Sequence, residues 1–462
     1  MGQHQPLQTQ LYDAEGPPTD QRAAFTGGDV PVAVYGLGKV GTPLAAVLAA
    51  VTGNAVGVDI DESVVAAVEN GQSPVEEPGL AEAVATTVEN GALAATSDPR
   101  EAAREASVHV VVVPTLLDGD DRPDLAALDR AVADIGSGLA PGDLVLVEST
   151  VPPGTCRELV QPGLVEASGL APDAFGLAFC PERTASGTAL RDIRTAYPKV
   201  VGGRDPESTR AAGLVYEEIT DNEVLTVEGC TAAECVKLFE GVYRDVNIAL
   251  ANELAWLADE LPVDVNAAID VANTQPYCDI HTPGPGVGGH CIPYYPYFLA
   301  EAVDTSLPLV GRARETNESM PAYTVGRLRV ELDRAGTAVS EAAVAVLGVT
   351  YRPGVDETRA SPARPIASML ADRGAEVYLS DPVCSDFSEF AGSPVTIDVL
   401  PALDLDAVVI VTAHEEFESV AWDHIDDVVV VDGRQATDPE EIPHPVYTIG
   451  AGRADGTEVS RQ

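Results

Sequence analysis

Apolar residues along the chain follow two rhythms, short runs bounded by glycine and long stretches spaced three and four apart. Val30-Pro-Val-Ala-Val-Tyr35 is a short β-rich run of the kind that forms a buried strand, and the apolar, alanine-rich stretch from Thr42 to Val51 follows it as a packed helix. Similar runs recur at Ala55-Val-Gly-Val58, Val108-His-Val-Val-Val-Val113, Leu144-Val-Leu-Val-Glu-Ser149 and Phe175-Gly-Leu-Ala-Phe-Cys180, separated by helical or polar stretches. Strands that alternate with helices predict an α/β fold with a parallel, doubly wound sheet. From Thr231 to about Glu260, glycine and proline vanish apart from Gly241, and Val236, Phe239, Val242, Val246, Leu250, Leu254 and Leu257 recur at helical spacing. A helix of roughly thirty residues would be some 45 Å long, which suits a spine between domains or a dimer interface. A second α/β pattern begins at Ala343-Val-Ala-Val-Leu347 and continues through Glu376-Val-Tyr-Leu-Ser-Asp381, Ala407-Val-Val-Ile-Val-Thr412 and Val428-Val-Val-Val-Asp432. It predicts a smaller Rossmann-like sheet.

The glycines between the first strand and its helix add chemistry to this outline. Gly36-Leu-Gly38-Lys39-Val40-Gly41 is a G-x-G-x-x-G turn in its meaningful context, where a tight backbone approaches a pyrophosphate at a helix N-terminus. Asp59 closes the next strand at about the twenty-residue distance expected of a ribose ligand, and a carboxylate there repels a 2′-phosphate, so NAD is favoured over NADP. Ligands of such sheets bind beyond the carboxyl ends of the strands. Three polar clusters fall at those ends: Pro114-Thr115, Glu148-Ser-Thr150-Val-Pro-Pro-Gly-Thr155 and Cys180-Pro-Glu182-Arg183. Further on, Pro283-Gly-Pro-Gly-Val-Gly-Gly-His290-Cys291 presents a thiol from a glycine turn beside an imidazole. That environment favours thiolate, although a buried structural cysteine after a turn is the plainer reading of the pair alone.

Composition narrows the function classes. The 73 acidic residues against 27 basic ones give a formal charge of −46, and only Lys39, Lys199 and Lys237 are lysines. Such a chain repels nucleic acid and anionic membrane, and it suits a high-salt cytoplasm in which screening suppresses self-repulsion, an expectation checked by following stability as salt is lowered. Seven cysteines lack metal-ligand spacing, and with no signal peptide pattern they predict reduced thiols in a cytoplasm. Residues 1 to 29, polar and without apolar periodicity, read as a disordered tail.

Taken in order, Gly36 to Pro43, Asp59, Asn70-Gly-Gln-Ser-Pro-Val-Glu-Glu-Pro-Gly-Leu80, Ser149-Thr150-Val-Pro-Pro-Gly154, Pro181-Glu182-Arg183, Lys237-Leu238, Tyr243 to Glu253 and the cysteine loop resemble the UDP-glucose/GDP-mannose dehydrogenase family. Gly-Val-Gly-Gly-His290-Cys291 resembles the branch that acts on UDP-N-acetylhexosamines, UDP-N-acetylglucosamine or UDP-N-acetylmannosamine. The resemblance implies an NAD-binding Rossmann domain over 30–222, with Thr115 and Thr150 joining the glycine turn at the cofactor. It implies a central helical domain over 223–322 and a C-terminal UDP-binding Rossmann-like domain over 323–462, in a homodimer or higher homo-oligomer. It further implies that C6 of the sugar is oxidised to a carboxylate with two NAD⁺, Cys291 being the nucleophile, helped by Lys237, Glu182, Thr150 and His290. Glu182, Arg183, Lys237, Gly288, Gly289, Arg352, Arg359 and Arg434 would hold the UDP-sugar. The sequence departs from the family at Gly241, where an asparagine is usual, and at Tyr295, where an aspartate is usual; an arginine commonly found before the cysteine loop is absent between Asn266 and Cys291. UDP-glucose as substrate, or a sugar-nucleotide-binding protein of weakened catalysis, are the alternatives.

Overall fold

The computed structural model describes residues 10–184 and 187–454. The chain forms two compact units, one running up to Phe239 with Tyr297–Asp304 added, the other made of Glu240–Pro296 and the chain from Thr305 onward.

The N-terminal unit is built on eight strands: β1 (Val32–Tyr35), β2 (Ala55–Val58), β3 (Leu93–Thr96), β4 (Val108–Val111), β5 (Leu144–Val147), β6 (Gly176–Phe179), β7 (Lys199–Gly203) and β8 (Val224–Thr226). Their order across the sheet is β8-β7-β6-β5-β4-β1-β2-β3. All neighbours pair in parallel except β6 and β7, where Ala178 faces Gly203 and Phe179 faces Gly202 in antiparallel register. β1 explains why its sequence shows no polar alternation. Val32 and Val34 enter one hydrophobic core with Leu44 and Leu48, while Ala33 and Tyr35 enter a second with Leu128 and Val160. A sheet covered on both faces selects a continuous apolar run.

The expected disordered tail is partly overturned. Pro18–Thr26 forms helix α1, and Leu11 and Phe25 are both fully buried in the first core. Arg210 fastens the segment further by donating to Gln21 and to the Leu11 carbonyl at 2.7 and 2.8 Å. Two anchoring side chains so far apart leave no periodic signal, because their burial is decided by a distant helix rather than by their neighbours. Residues 1–9 of that expectation lie outside the described residues.

Helix α2 (Gly41–Thr52) follows the glycine turn and is buried along most of its length. The predicted long helix is α3, Gly229–Ala255, continued by a short 3₁₀ turn at Trp256–Asp259. Its first part lies in the N-terminal unit and the rest in the C-terminal unit.

The C-terminal unit adds helix α4 (Pro308–Ala335) and the strands β9 (Ala343–Leu347), β10 (Glu376–Ser380), β11 (Ser393–Pro394), β12 (Ala407–Ile410), β13 (Val429–Asp432), β14 (Val446–Thr448) and β15 (Gly452–Ala454). They run β11-β10-β9-β12-β13-β14-β15, parallel except for the last pair. The first turn of this sheet repeats that of the other: Val349 N–H donates to Asp381 at 2.8 Å, as Leu37 N–H donates to Asp59 at 2.8 Å. Their surroundings differ. Burial would raise the Asp381 carboxyl, but His414 at 3.1 Å and backbone N–H groups hold it down at about 2. Its acceptors are filled by protein donors, which leaves it a structural role.

Candidate active site

The glycine turn after β1 is dictated by crowding on one side and space on the other. Gly36 has φ +99°, and a Cβ there would stand 2.5 Å from the carbonyl oxygen of Val112, so no other residue fits. A Cβ on Gly38, by contrast, would meet nothing within 4 Å. Lys39 is exposed beside it, and Val40 caps α2. Asp59 accepts from Leu37 N–H at 2.8 Å and from Asp61 N–H at 3.0 Å, and a carboxylate has capacity left for hydroxyl donors. Thr115 Oγ1 donates to the Thr150 carbonyl at 2.6 Å and Ser149 Oγ to that of Val113 at 2.8 Å, tying the loops after β4 and β5 together. The predicted cofactor residues thus gather at the carboxyl ends of adjacent strands, with open backbone, a helix N-terminus and an acid, and this set fits a dinucleotide.

Glu234, fully buried on α3, binds the same region from below. It accepts from the N–H groups of Gly154 and Cys156 at 2.5 and 2.8 Å. The loop that carries Thr150 is thereby fixed to the helix that carries Lys237, one turn further on.

Glu182 follows β6 and is only 8% exposed. Lys199, at the start of β7, places its Nζ 3.0 Å from Glu182 and 3.0 Å from Glu148, which follows β5 and is 2% exposed. Tyr216 donates its hydroxyl to Glu148 and lies with its ring 4.4 Å from the ammonium. Burial would raise the Glu182 carboxyl, but Lys199 first, then Lys237 and the Thr184 N–H, bring it below the ordinary value. For Glu148 burial wins, and the nearby Glu182 adds to the rise against the pull of Lys199. Lys199 itself is raised, since the two carboxylates outweigh its burial. The arrangement keeps Glu182 ionised, and so able to take a proton, in a place that would otherwise neutralise it. Glu182 Oε1 also accepts from the N–H groups of Arg183 and Thr184 at 2.6 and 2.9 Å. Arg183 turns its guanidinium to the Pro198 carbonyl and over the Tyr197 ring.

The sequence did not mark Glu148, Lys199 and Tyr216 as a functional set. The usable signal was Lys199 itself, a lysine opening an otherwise apolar strand in a chain that keeps three.

The cysteine loop belongs to the C-terminal unit, and a relay of buried amides holds its start. Gly284 N–H donates to Asn252 at 2.9 Å, Asn252 to Asn317 at 2.9 Å, and Asn317 to the side chain of Asp245 at 2.9 Å, while Arg314 pairs with Asp245. Further along, a Cβ on Gly288 would lie 2.5 Å from that of Tyr351, and Gly289 N–H donates to the Arg359 carbonyl at 2.9 Å. The Cys291 side chain hydrogen-bonds His290 and raises the imidazole pKa in spite of burial. The Cys291 carbonyl accepts from the N–H groups of Tyr294 and Tyr295 at 3.2 and 3.1 Å, which closes the turn beneath the thiol.

The three arginines expected at the UDP are on this unit, and their surroundings differ. Arg352 lies over Tyr351, the ring that covers the loop glycines, and Arg359 stands 3.6 Å from Glu357. Arg434 is turned inward: Nε donates to the Val411 carbonyl at 2.9 Å and Nη2 to that of Gly286 at 3.2 Å. Burial brings it down to about 10 against the pull of Asp432. It braces the cysteine loop, a task the expected role as a diphosphate ligand did not include.

Comparison with known proteins identifies the family. Residues 30–220 match the NAD binding domain, 231–319 the central domain and 345–439 the UDP binding domain of the UDP-glucose/GDP-mannose dehydrogenase family. A UDP-N-acetyl-D-mannosamine dehydrogenase of Pyrococcus horikoshii is 36% identical over 429 residues, covering 92% of this chain and 99% of that one. An NDP-N-acetyl-D-galactosaminuronic acid dehydrogenase of Ralstonia solanacearum is 34% identical, covering 87% of this chain and 95% of the other. The solved structure of a UDP-D-ManNAc dehydrogenase from P. horikoshii superposes with a TM-score of 0.85 at 34% identity, covering 92% of this chain and 100% of that one. With its glycine turn, its buried glutamates and its cysteine loop accounted for, this chain belongs to the UDP-glucose/GDP-mannose dehydrogenase family.

Proposed function

We propose that the chain is an NAD-dependent 6-dehydrogenase of a UDP-N-acetylhexosamine, UDP-N-acetylmannosamine or UDP-N-acetylglucosamine. The observation that carries the reading is the Cys291 thiol hydrogen-bonded to His290 at the head of a glycine loop. Relatives of 36% and 34% identity named for N-acetylated sugars support the substrate class. NAD, bound at the glycine turn, supplies the hydride acceptor for both oxidations. Cys291 adds to the C6 aldehyde, giving a thiohemiacetal, and after the second oxidation holds the carbon as a thioester. Lys237 offsets the negative oxygen of the adducts, a service worth roughly 3–4 kcal/mol in a water-poor site. Glu182 takes a proton from the water that cleaves the thioester, Thr150 orients that water, and the thiol is regenerated with release of the carboxylate. Arg183, Gly288, Gly289, Arg352 and Arg359 face the sugar nucleotide, the arginines offering forked donors to its phosphates.

The same reading makes the active form a homodimer in the cytoplasm. Tyr243, Leu250 and Leu257, seven residues apart, are 52%, 48% and 41% exposed, a stripe suited to a second copy. None of the seven cysteines forms a disulfide, in keeping with a reducing compartment. No helix among the described residues is long and apolar enough to cross a membrane.

Three outcomes check this reading. With limiting UDP-N-acetylmannosamine, UDP-N-acetylglucosamine and UDP-glucose in parallel, one N-acetylated sugar yields two NADH per molecule consumed. One NADH per sugar would contradict the thioester route, and a preference for UDP-glucose would contradict the substrate. In light scattering the protein runs as a dimer and Leu250→Glu as a monomer; a monomeric parent would refute the interface. Lys199→Met leaves Glu148 and Glu182 without their shared cation, at a cost of about 3–5 kcal/mol in stability. Because Glu182 is depressed in the folded protein, its contribution is present above the ordinary carboxylate range and fades as pH falls below it. The substitution therefore moves the acid limb of the kcat profile to higher pH, and an unmoved limb would show that Lys199 does not set the charge of Glu182.

A further inference from the structure

Helix α3 offers no room for a side chain at Gly241, although nothing in its backbone asks for glycine. Its φ is not in the left-handed region, and glycine within a helix is less favourable than alanine. A Cβ built there would stand 2.1 Å from Cδ2 and 2.9 Å from Cγ of Tyr295, far inside the contact distance of ~3.5–4.0 Å. Gly241 is buried and Tyr295 is 7% exposed, so neither can swing into solvent without unpacking the site. The other end of Tyr295 is tied to the nucleophile, for its N–H donates to the Cys291 carbonyl at 3.1 Å. One residue therefore joins the turn beneath the thiol to the wall of α3.

We propose that Tyr295 is a positioning residue for Cys291, that it works by seating its ring on the bare backbone of Gly241, and that the two residues are functional only as a pair. The ring anchors the first residue of the helix that begins at Tyr295, and that residue closes the turn at the Cys291 carbonyl. The orientation of the thiol then depends on the ring staying in its seat. Any side chain at position 241 evicts the ring, and loss of the ring leaves the turn unbraced. The two departures from the family pattern are on this account a single exchange: an asparagine at 241 cannot coexist with the tyrosine at 295. The proposal rests on Cys291 being the nucleophile.

The test is a cycle of Gly241→Ala, Tyr295→Ala and the double variant, with Tyr295→Phe beside them. It is read by the pH profile of Cys291 alkylation with iodoacetamide, located by peptide mass, and by kcat and KM with the UDP-sugar. Gly241→Ala is expected to lower the alkylation rate and kcat at least tenfold with little change in KM. In the Tyr295→Ala background the same alanine has no further effect, because the ring it would displace is gone. Tyr295→Phe, which keeps the ring, recovers the profile lost in Tyr295→Ala. Equal losses from Gly241→Ala in both backgrounds, or none in the parent, would overturn the proposal. Should Gly241→Ala fail to fold, its folding in the Tyr295→Ala background supports the pairing and failure in both refutes it. The alkylation profile needs no sugar, so a parent that reduces no NAD with any UDP-sugar would sink the dehydrogenase reading and leave this test standing.

Discussion

Two glutamates buried beside one another repel, and Lys199 standing 3.0 Å from each is the cation between them, which keeps Glu182 ionised although burial still raises Glu148. Glu148 follows β5, Glu182 follows β6 and Lys199 opens β7, so one cation links the ends of three neighbouring strands. The loop after β5 carries Thr150, and through Glu234 that loop is fixed to α3 and so to Lys237. The chemistry expected of Glu182 and Lys237 thus depends on a charge balance that neither residue supplies alone. A chain that keeps three lysines has placed one of them between two buried carboxylates.

The C-terminal unit solves a different problem, the presentation of a thiol from a flexible loop. Glycine makes the loop able to bend, and contacts remove that freedom again. Asn252 holds its start, Arg434 its middle, Tyr351 its glycines, and Tyr295 the turn after Cys291. Preorganisation of this kind is where a nucleophile gains its advantage, since alignment is settled before substrate arrives. It also gives Asp245 and Asn252 of α3 and Arg314 and Asn317 of α4 a role, as a buried relay that ends on the loop.

What could be read from the sequence was what neighbouring residues decide. The run into Gly36, the acid at Asp59 and the helical spacing of α3 are local patterns, and each stands in the fold as expected. The triad of Glu148, Lys199 and Tyr216 was not legible, because its members lie up to 68 residues apart and acquire meaning only through burial. The bonds of Arg434 to the carbonyls of Val411 and Gly286 were not legible either, because they join residues far apart in the chain. Helix α1 was missed because two anchoring side chains make no period. Gly241 and Tyr295 looked like two losses of polar function, and only the 2.1 Å approach shows them to be one packing arrangement.

The central claim is that the sugar carbon passes through a covalent state on Cys291 which Glu182 then releases. The most direct measurement is acid quenching of a Glu182→Gln variant during turnover, followed by peptide mass mapping of all seven cysteines. The account predicts a UDP-sugar acyl adduct on the Cys291 peptide that accumulates when Glu182 is neutralised, with the other cysteines unmodified. Carboxylate product formed with no adduct at Cys291, or an adduct on another cysteine, would contradict it.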